Sequence, residues 1–566
     1  MTDKAAPETP QEKTLLQTLA FFLERRSLVM LGLGFASGLP FMLIFDTLSL
    51  WLRDAGLSLA VIGFFSLATL SFSFKFLWAP LIDRARVPVL DRLLGHRRAW
   101  ILVFQAAMIL GLWAISTMNP AHQLGALAAA AVAVGFATAS HDIVIDAWRI
   151  EVADDEEQGP MVVAYQWGYR VAMIAAGAGP LLLAERFGWN FSYAVMGVVV
   201  GVGVLATLCA PREAEHTIRP IPTGDVAQPR ALEVLEWLAR LAVLLLGALV
   251  LGSGLAGDAT LLSKLIGGEA LADAWTAKPN GVWLQLLGVI AGLAIVVVAA
   301  WPIPKVRTKP GVYMSKAFGE PLGEFLNRFH GVAGLILAAI CVYRVSDFVL
   351  NIMNPFYRDM GFTLTEIAEI RKVFGIIASM IGVFLGGVVV ARLGLMKALV
   401  IGAFAQPISN LMFALLAMSG HSIPMLFASI CLDNVAGGVA GTALIAYMSS
   451  LTSAGFTATQ YALFSSLYAL PGKLVASQSG RIVEASAQAA EHGGPIGLLK
   501  GLFTRLPPES FTAAGAKLGV SAQAMAAGYT TFFIYTALIG VVAIGLSFMV
   551  AARQQQAEAE AEAAAT

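Results

Sequence analysis

Two carboxylates, an imidazole and a guanidinium stand inside one otherwise apolar stretch, at His141, Asp142, Asp146 and Arg149. Asp142, Asp146 and Arg149 follow i, i+4, i+7 spacing, which places their side chains on one face of a helix. A carboxylate at membrane depth costs roughly 2.5 to 3.5 kcal/mol on insertion scales, so it faces a partner or a water-filled path rather than lipid. Two chemistries fit this stripe. Asp142 and Asp146 could carry protons along a transport path, or they could belong to an ion-pair network that only holds helices together. His141 titrates near neutrality but lies off the stripe, where it reads as a helix-packing residue.

Other charges can pair with these or stand apart from them. Lys75 and Arg170 lie at a similar depth in neighbouring apolar segments, are available to the two carboxylates, and count among the candidates for substrate binding. A second tier sits nearer the middle of its segments: Arg344, Asp347, Asp433, Asn434 and Lys473. Arg344 and Asp347 are i, i+3 neighbours and can neutralise each other, which leaves Lys473 and Asp433 as the more available pair. Central cations suit an anionic substrate. Asn351, Asn354, Gln406, Asn410, Gln460 and Tyr461 add neutral groups that bind hydroxyls and amides, or equally bond helix to helix. The sequence has no nucleophile–base arrangement, metal-ligand cluster or phosphate-cradling glycine loop, so no enzyme, metal or cofactor is expected. Cys209, Cys341 and Cys431 fall in apolar segments and read as small hydrophobes.

The elements that must position these groups are membrane helices. Hydrophobic residues make up 58% of the chain and charged residues 13%, and the mean hydropathy is +0.74, which places the chain among polytopic proteins of the lipid bilayer. Lys+Arg and Asp+Glu both number 37, so the balance of charge points to no nucleic-acid partner. At about 20 apolar residues per span, six spans are expected at 27–51, 58–82, 99–118, 124–149, 161–184 and 188–210. Six more are expected at 331–357, 366–391, 397–418, 422–450, 459–484 and 527–551, with two weaker candidates between the sets at 235–257 and 281–301. The expectation is an all-α polytopic fold of six plus six helices with a two-helix insert, fourteen in total. Basic loops at 83–98, 212–230 and 305–328 alternate with loops that lack Lys and Arg, so both termini are placed in the cytoplasm. The corresponding division is a cytoplasmic segment 1–26, a bundle 27–210, a linker with the hairpin 211–330, a second bundle 331–551 and a cytoplasmic tail 552–566. Within the second bundle, 485–526 is expected as an ordered external cap.

The motifs GFASGLP at 34–40, IGFFSL at 62–67, KFLWAPLIDR at 75–84, SHDIVIDAW at 140–148, YRVSD at 343–347, DNVAGG at 433–438 and FTATQYAL at 456–463 resemble the AmpG-type muropeptide permeases of the major facilitator superfamily. The turn from Asp83 to Arg98 resembles that superfamily's gating loop. The resemblance implies a monomeric transporter of the bacterial inner membrane. Its cargo would be anionic N-acetylglucosaminyl-1,6-anhydro-N-acetylmuramyl peptides, moved with protons into cell-wall recycling and β-lactamase induction. Its substrate site would lie between the halves. The sequence departs from that pattern at His141, where Gln is expected, at the inserted 235–257 and 281–301 spans, and in ending with its last span. A related carrier of another bulky anion, such as an acyl coenzyme A, is the alternative within the class; a non-transporting membrane sensor is the alternative outside it.

Overall fold

The computed structural model describes residues 23–55, 72, 75–120, 122–153, 155–213, 226, 228–256, 259–266, 268–277, 281–301, 303, 306–346, 352–363, 366–367, 369–476 and 479–565, except for the side chains of some residues within these ranges. Asp347, Asn351 and most of the 58–82 span lie outside the described residues, as do the side chains of Lys473 and Asn354.

Among the described residues the secondary structure is helical throughout, as lipid requires of a backbone that must satisfy its own hydrogen bonds. Helix α1 (Arg25–Met42) runs through a π turn into α2 (Leu48–Asp54). It lies against α6 (Asp155–Phe187). Gly34 and Gly168 permit that approach: an added Cβ would strike the Tyr165 carbonyl from the first and the Leu31 carbonyl from the second. Between these helices come α3 (Ala79–Arg84), α4 (His96–Ser116) and α5 (Leu124–Val152). The first half closes with α7 (Trp189–Val199) and α8 (Gly201–Cys209).

Two helices follow, α9 (Arg230–Ala256) and α10 (Gly281–Ala300). They pack tightly on each other, with Gly254 against the Gln285 carbonyl and Val289. The Trp275 indole donates to the Ser253 carbonyl at 3.0 Å, which ties their connection down. Leu235, Leu238, Leu245, Ile290 and Val298 are exposed on the outside of the pair, a surface suited to lipid.

The basic stretch expected as a loop contains a helix, α11 (Lys309–Arg328). The Thr308 hydroxyl accepts the Gly311 amide at 3.1 Å and Pro310 occupies the first turn, both favourable at a helix start. Pro310, Met314, Ala317, Pro321 and Phe325 form its buried stripe. A bend of 108° then leads to α12 (Ala333–Val342).

The second half continues with α13 (Met353–Asp359), α14 (Gly375–Leu393), α15 (Leu395–Ser419), α16 (Ile423–Ser450) and α17 (Thr457–Ala476). Helices α18 (Ser479–Glu491) and α19 (Thr512–Leu518) then lead into the long α20 (Ala522–Ala565). They cap the end of the bundle opposite the basic loops, around a cluster in which Phe356 and Tyr529 lie 4.9 Å apart. Among the described residues, eight helices are long and apolar enough to cross a membrane singly, or nine if α11 and α12 are counted as one bent pair.

Candidate functional site

Helix α5 organises the polar interior of the first half because one face of it carries every charged group from Asp142 to Arg149. Asp142 Oδ1 accepts the Tyr165 hydroxyl of α6 at 3.1 Å. Ser37 of α1 also lies within hydrogen-bonding reach of this carboxylate, and Lys75 is the cation that acts on it. Asp146, one turn nearer the basic end, meets Arg149 Nη2 at 3.4 Å and lies beside Tyr461 of α17. The two carboxylates therefore have different partners. Lys75, from another element, acts on both carboxylates, but Asp146 alone adds an ion pair within its own helix.

His141 is fully buried. Its Nδ1 lies 3.0 Å from Ser37 Oγ, and its Nε2 lies 3.1 Å from the Gln105 amide nitrogen. Gln105 Oε1 lies 3.1 Å from the Thr207 hydroxyl, whose one proton also has the Gly203 carbonyl at 2.8 Å. The ring thus joins Ser37 of α1 on one side to Gln105 of α4 on the other. The histidine packs helices, and it also aims the Ser37 hydroxyl that faces Asp142.

A second polar region lies between the halves. A cavity of about 180 Å³ is lined by Gln166 and Arg170 of α6, Arg344, and Asp433, Asn434 and Gly437 of α16, among others. Arg170 and Arg344 act on each other electrostatically, so two guanidiniums from opposite halves face one space. Arg170, a candidate for substrate that was also available to the α5 carboxylates, lines this cavity. Asp433 accepts Ser409 Oγ at 3.0 Å and Gln406 Nε2 at 3.3 Å, and Arg344 is its nearby cation. Asn410 bonds the Ser346 carbonyl and Thr536, each at 3.1 Å, and so joins helices.

The third region seals the basic end. Arg97, fully buried, donates to Asp83 Oδ1 at 2.8 Å and to Glu151 at 2.6 Å. Asp83 in turn accepts the Thr459 amide at 2.8 Å, the Thr459 hydroxyl at 2.6 Å and the Ala458 amide at 3.2 Å. A carboxylate of the first half thus caps the first turn of α17 in the second. Arg149 adds a second tie there, to Ser449 Oγ at 2.9 Å; the Trp167 indole also crosses between the halves, to the Met380 carbonyl at 2.9 Å, but beside the central cavity rather than at the basic end. Gln460, expected near substrate, belongs to this end: its amide donates to the Pro321 carbonyl at 2.9 Å and to Glu324 at 2.6 Å. Tyr461 lies against Arg149, whose guanidinium sits 5.7 Å from the ring. Sequence reasoning passed over Arg97, Glu151, Trp167 and Thr459; the acidic residue opening the basic turn at 83 was the available signal for this cluster.

Two helical halves with a polar cavity between them define a membrane carrier of the major facilitator kind, and the Major Facilitator Superfamily model matches residues 30–277. A solved structure of the proton:xylose symporter XylE, bound to 6-bromo-6-deoxy-D-glucose, shares the fold with a TM-score of 0.50 at 12% identity, covering 92% of this chain and 94% of that one. The anhydromuropeptide permease of Escherichia coli K12 is 30% identical over 472 residues, covering 83% of this chain and 76% of the relative. The putative transporter AmpG 4 of Rickettsia felis is 29% identical, covering 80% and 88%. The chain belongs to the AmpG-type permease family.

Proposed function

We propose that the protein imports anhydromuropeptides released from peptidoglycan across the bacterial inner membrane, driven by protons, as a monomer with both termini in the cytoplasm. The observation that carries this reading is the pair Arg170 and Arg344 at one cavity between the halves, a site complementary to peptide carboxylates. The permease name of the Escherichia coli relative supplies the substrate class. Asp433, Asn434 and Gln166 face the same space and suit the hydroxyls and amides of a glycopeptide. Lys473 and Asp347, which the sequence offers as a further cation and carboxylate for the substrate, lie outside what the structure describes of the site.

A volume of about 180 Å³ is below the roughly 300 to 1,000 Å³ of ordinary ligand sites. The bulky cargo therefore requires the halves to part. In the described state the basic end is closed by Asp83 and Arg149. Rocking to open that end separates α5 and α6 from α16 and α17. Asp146 and Arg149 would then lose Tyr461 and Ser449, and Asp142 would meet a new dielectric, which changes its hold on a proton.

The test is binding and uptake in sealed vesicles. Arg170→Gln and Arg344→Gln should each weaken binding of a charged muropeptide by about tenfold or more, as expected for a hydrogen bond to a charged group. An analogue with amidated carboxylates should be much less affected. Equal weakening for both ligands would assign the arginines to structure and remove them from the site.

A further inference from the structure

Beside the latch at the basic end is a second, larger cavity of about 550 Å³ that the transport reading does not use. Its walls are Val296, Val297 and Trp301 at the end of the α9–α10 pair, Met314, Phe318, Gly319 and Leu322 of α11, Phe76, and Thr459, Gln460 and Leu463 of α17, with Ser315 and Pro321. The lining is largely apolar, and its two most prominent polar side chains are already committed. The Thr459 hydroxyl is spent on Asp83, and the Gln460 amide on Pro321 and Glu324. A polar ligand would gain little here; a hydrocarbon would lose nothing.

The cavity also borders the bilayer. Trp301 is 63% exposed and Val297 51% exposed, on the helix pair whose outer face suits lipid. Arg84 does not line the cavity, but its Nη2 meets Glu320, the residue after the lining Gly319, at 3.0 Å, and its guanidinium sits 5.8 Å from the Phe456 ring. The Arg84 side chain is 5% exposed, and its Nη1 has no hydrogen-bond partner among the described residues. A buried guanidinium nitrogen without an acceptor is costly, and a phosphate oxygen would satisfy it.

We propose that this cavity holds one acyl chain of an anionic phospholipid whose phosphate reaches Arg84. Basic pockets among membrane helices are suited to such head groups, and the volume falls within the roughly 300 to 1,000 Å³ of specific ligand sites. Because Thr459 is both a wall of the cavity and the partner of Asp83, an occupied cavity braces the first turn of α17 in the latched state. Emptying the cavity frees α11 and α17 to separate. The lipid is thus a structural ligand of the closed basic end, whatever the carrier transports.

Gly319 allows a direct test, since a Cβ added there meets nothing within 4 Å while the residue lines the cavity. Gly319→Phe should fill the space, and Gly323→Phe, equally free of close neighbours but off the lining, should not. The full chain is purified in detergent with phosphatidylglycerol or phosphatidylcholine, and the lipid retained is read by native mass spectrometry. The wild type should retain one phosphatidylglycerol; Gly319→Phe should reduce that at least about fivefold, and Gly323→Phe should leave it unchanged. Arg84→Gln should lower phosphatidylglycerol retention to that of phosphatidylcholine. Retention by Gly319→Phe equal to wild type would overturn the site, and equal retention of both lipids by the wild type would overturn the anionic head group. Ser315→Phe, which enters the same cavity, gives the same reading if Gly319→Phe does not elute as a folded protein.

Discussion

Asp83 and Asp142 are both carboxylates buried among helices, yet their surroundings differ in kind. Asp83 accepts from a buried arginine and from two backbone amides and a hydroxyl of the opposite half. Asp142 has a tyrosine hydroxyl at 3.1 Å, Ser37 and the influence of Lys75, all from its own half. A carboxylate saturated across an interface holds one arrangement of the halves, because parting them removes several charge-assisted bonds at once. A carboxylate whose hydrogen-bond partners and cation all belong to its own half keeps them as the halves move and responds mainly to solvation. The first is suited to a latch and the second to proton exchange.

The sharpest way to break this contrast is at Arg97. Arg97→Gln leaves Asp83 and Glu151 buried without their cation, and removing one member of a buried pair costs about 3 to 5 kcal/mol. The variant should unfold at a clearly lower temperature in detergent, or be recovered only in part. Thermal stability equal to wild type would mean that the network at the basic end carries no structural role.

Asp142→Asn tests the other side. Tyr165 and Ser37 can still bond an amide, so the fold and ligand binding should persist while proton-driven accumulation is lost. Asp146→Asn should instead leave Arg149 with Gln158, Ser449 and Tyr461 but without its carboxylate and alter closure before coupling. Counterflow exchange, which needs no gradient, separates the two: it should survive in Asp142→Asn and slow in Asp146→Asn. Gradient-driven uptake that survives in Asp142→Asn would remove that residue from coupling.

A smaller effect is expected at His141. His141→Gln can still join Ser37 and Gln105, whereas His141→Leu strands both polar groups in a dry interior, at about 1 to 3 kcal/mol for an unsatisfied group. Leucine should therefore reduce stability and slow coupled uptake more than glutamine does. Equal behaviour of the two variants would deny His141 any part in orienting Ser37.

The membrane helices were legible because continuous apolar runs leave few other solutions in lipid, and the stripe from Asp142 to Arg149 was legible because helical spacing is visible within ten residues. Contacts between distant segments were not. Arg170 and Arg344 each stood out as charges, but nothing local says that α6 and the turn after α12 face one cavity. By sequence Arg170 is accordingly both a partner available to the α5 carboxylates and a substrate candidate. Gln460 looked like a substrate ligand because a polar residue in an apolar segment has no address until its partners, Pro321 and Glu324, are placed. Helix α11 was hidden by its composition: Pro310, Gly311, Gly319, Pro321 and Gly323 read as loop, and only packing of the stripe from Pro310 to Phe325 overrides that propensity.

The cap at the end opposite the latch supplies the mildest test, a local one governed by pH. The Ser521 hydroxyl and amide donate to Glu491 at 2.5 and 2.9 Å, and Lys500 lies 3.2 Å away. Together they hold its carboxyl down at about 2. The sign follows from which form is bound: the folded cap prefers the carboxylate, so its contribution is complete above the ordinary glutamate range and is lost as pH falls from about 4.5 towards 2. Because this carboxylate is exposed to solvent, the effect should be confined to the tie between α18 and the start of α20. Amide hydrogen exchange at 479–525 should quicken, relative to its intrinsic pH dependence, between pH 5 and pH 3. Glu491→Gln should give the quicker exchange already at pH 5. The latch, whose carboxylates are tied to a fully buried arginine, should stay protected over the same interval; loosening of both ends together would mean that cap and latch open as one unit and that the contrast between them is not energetic.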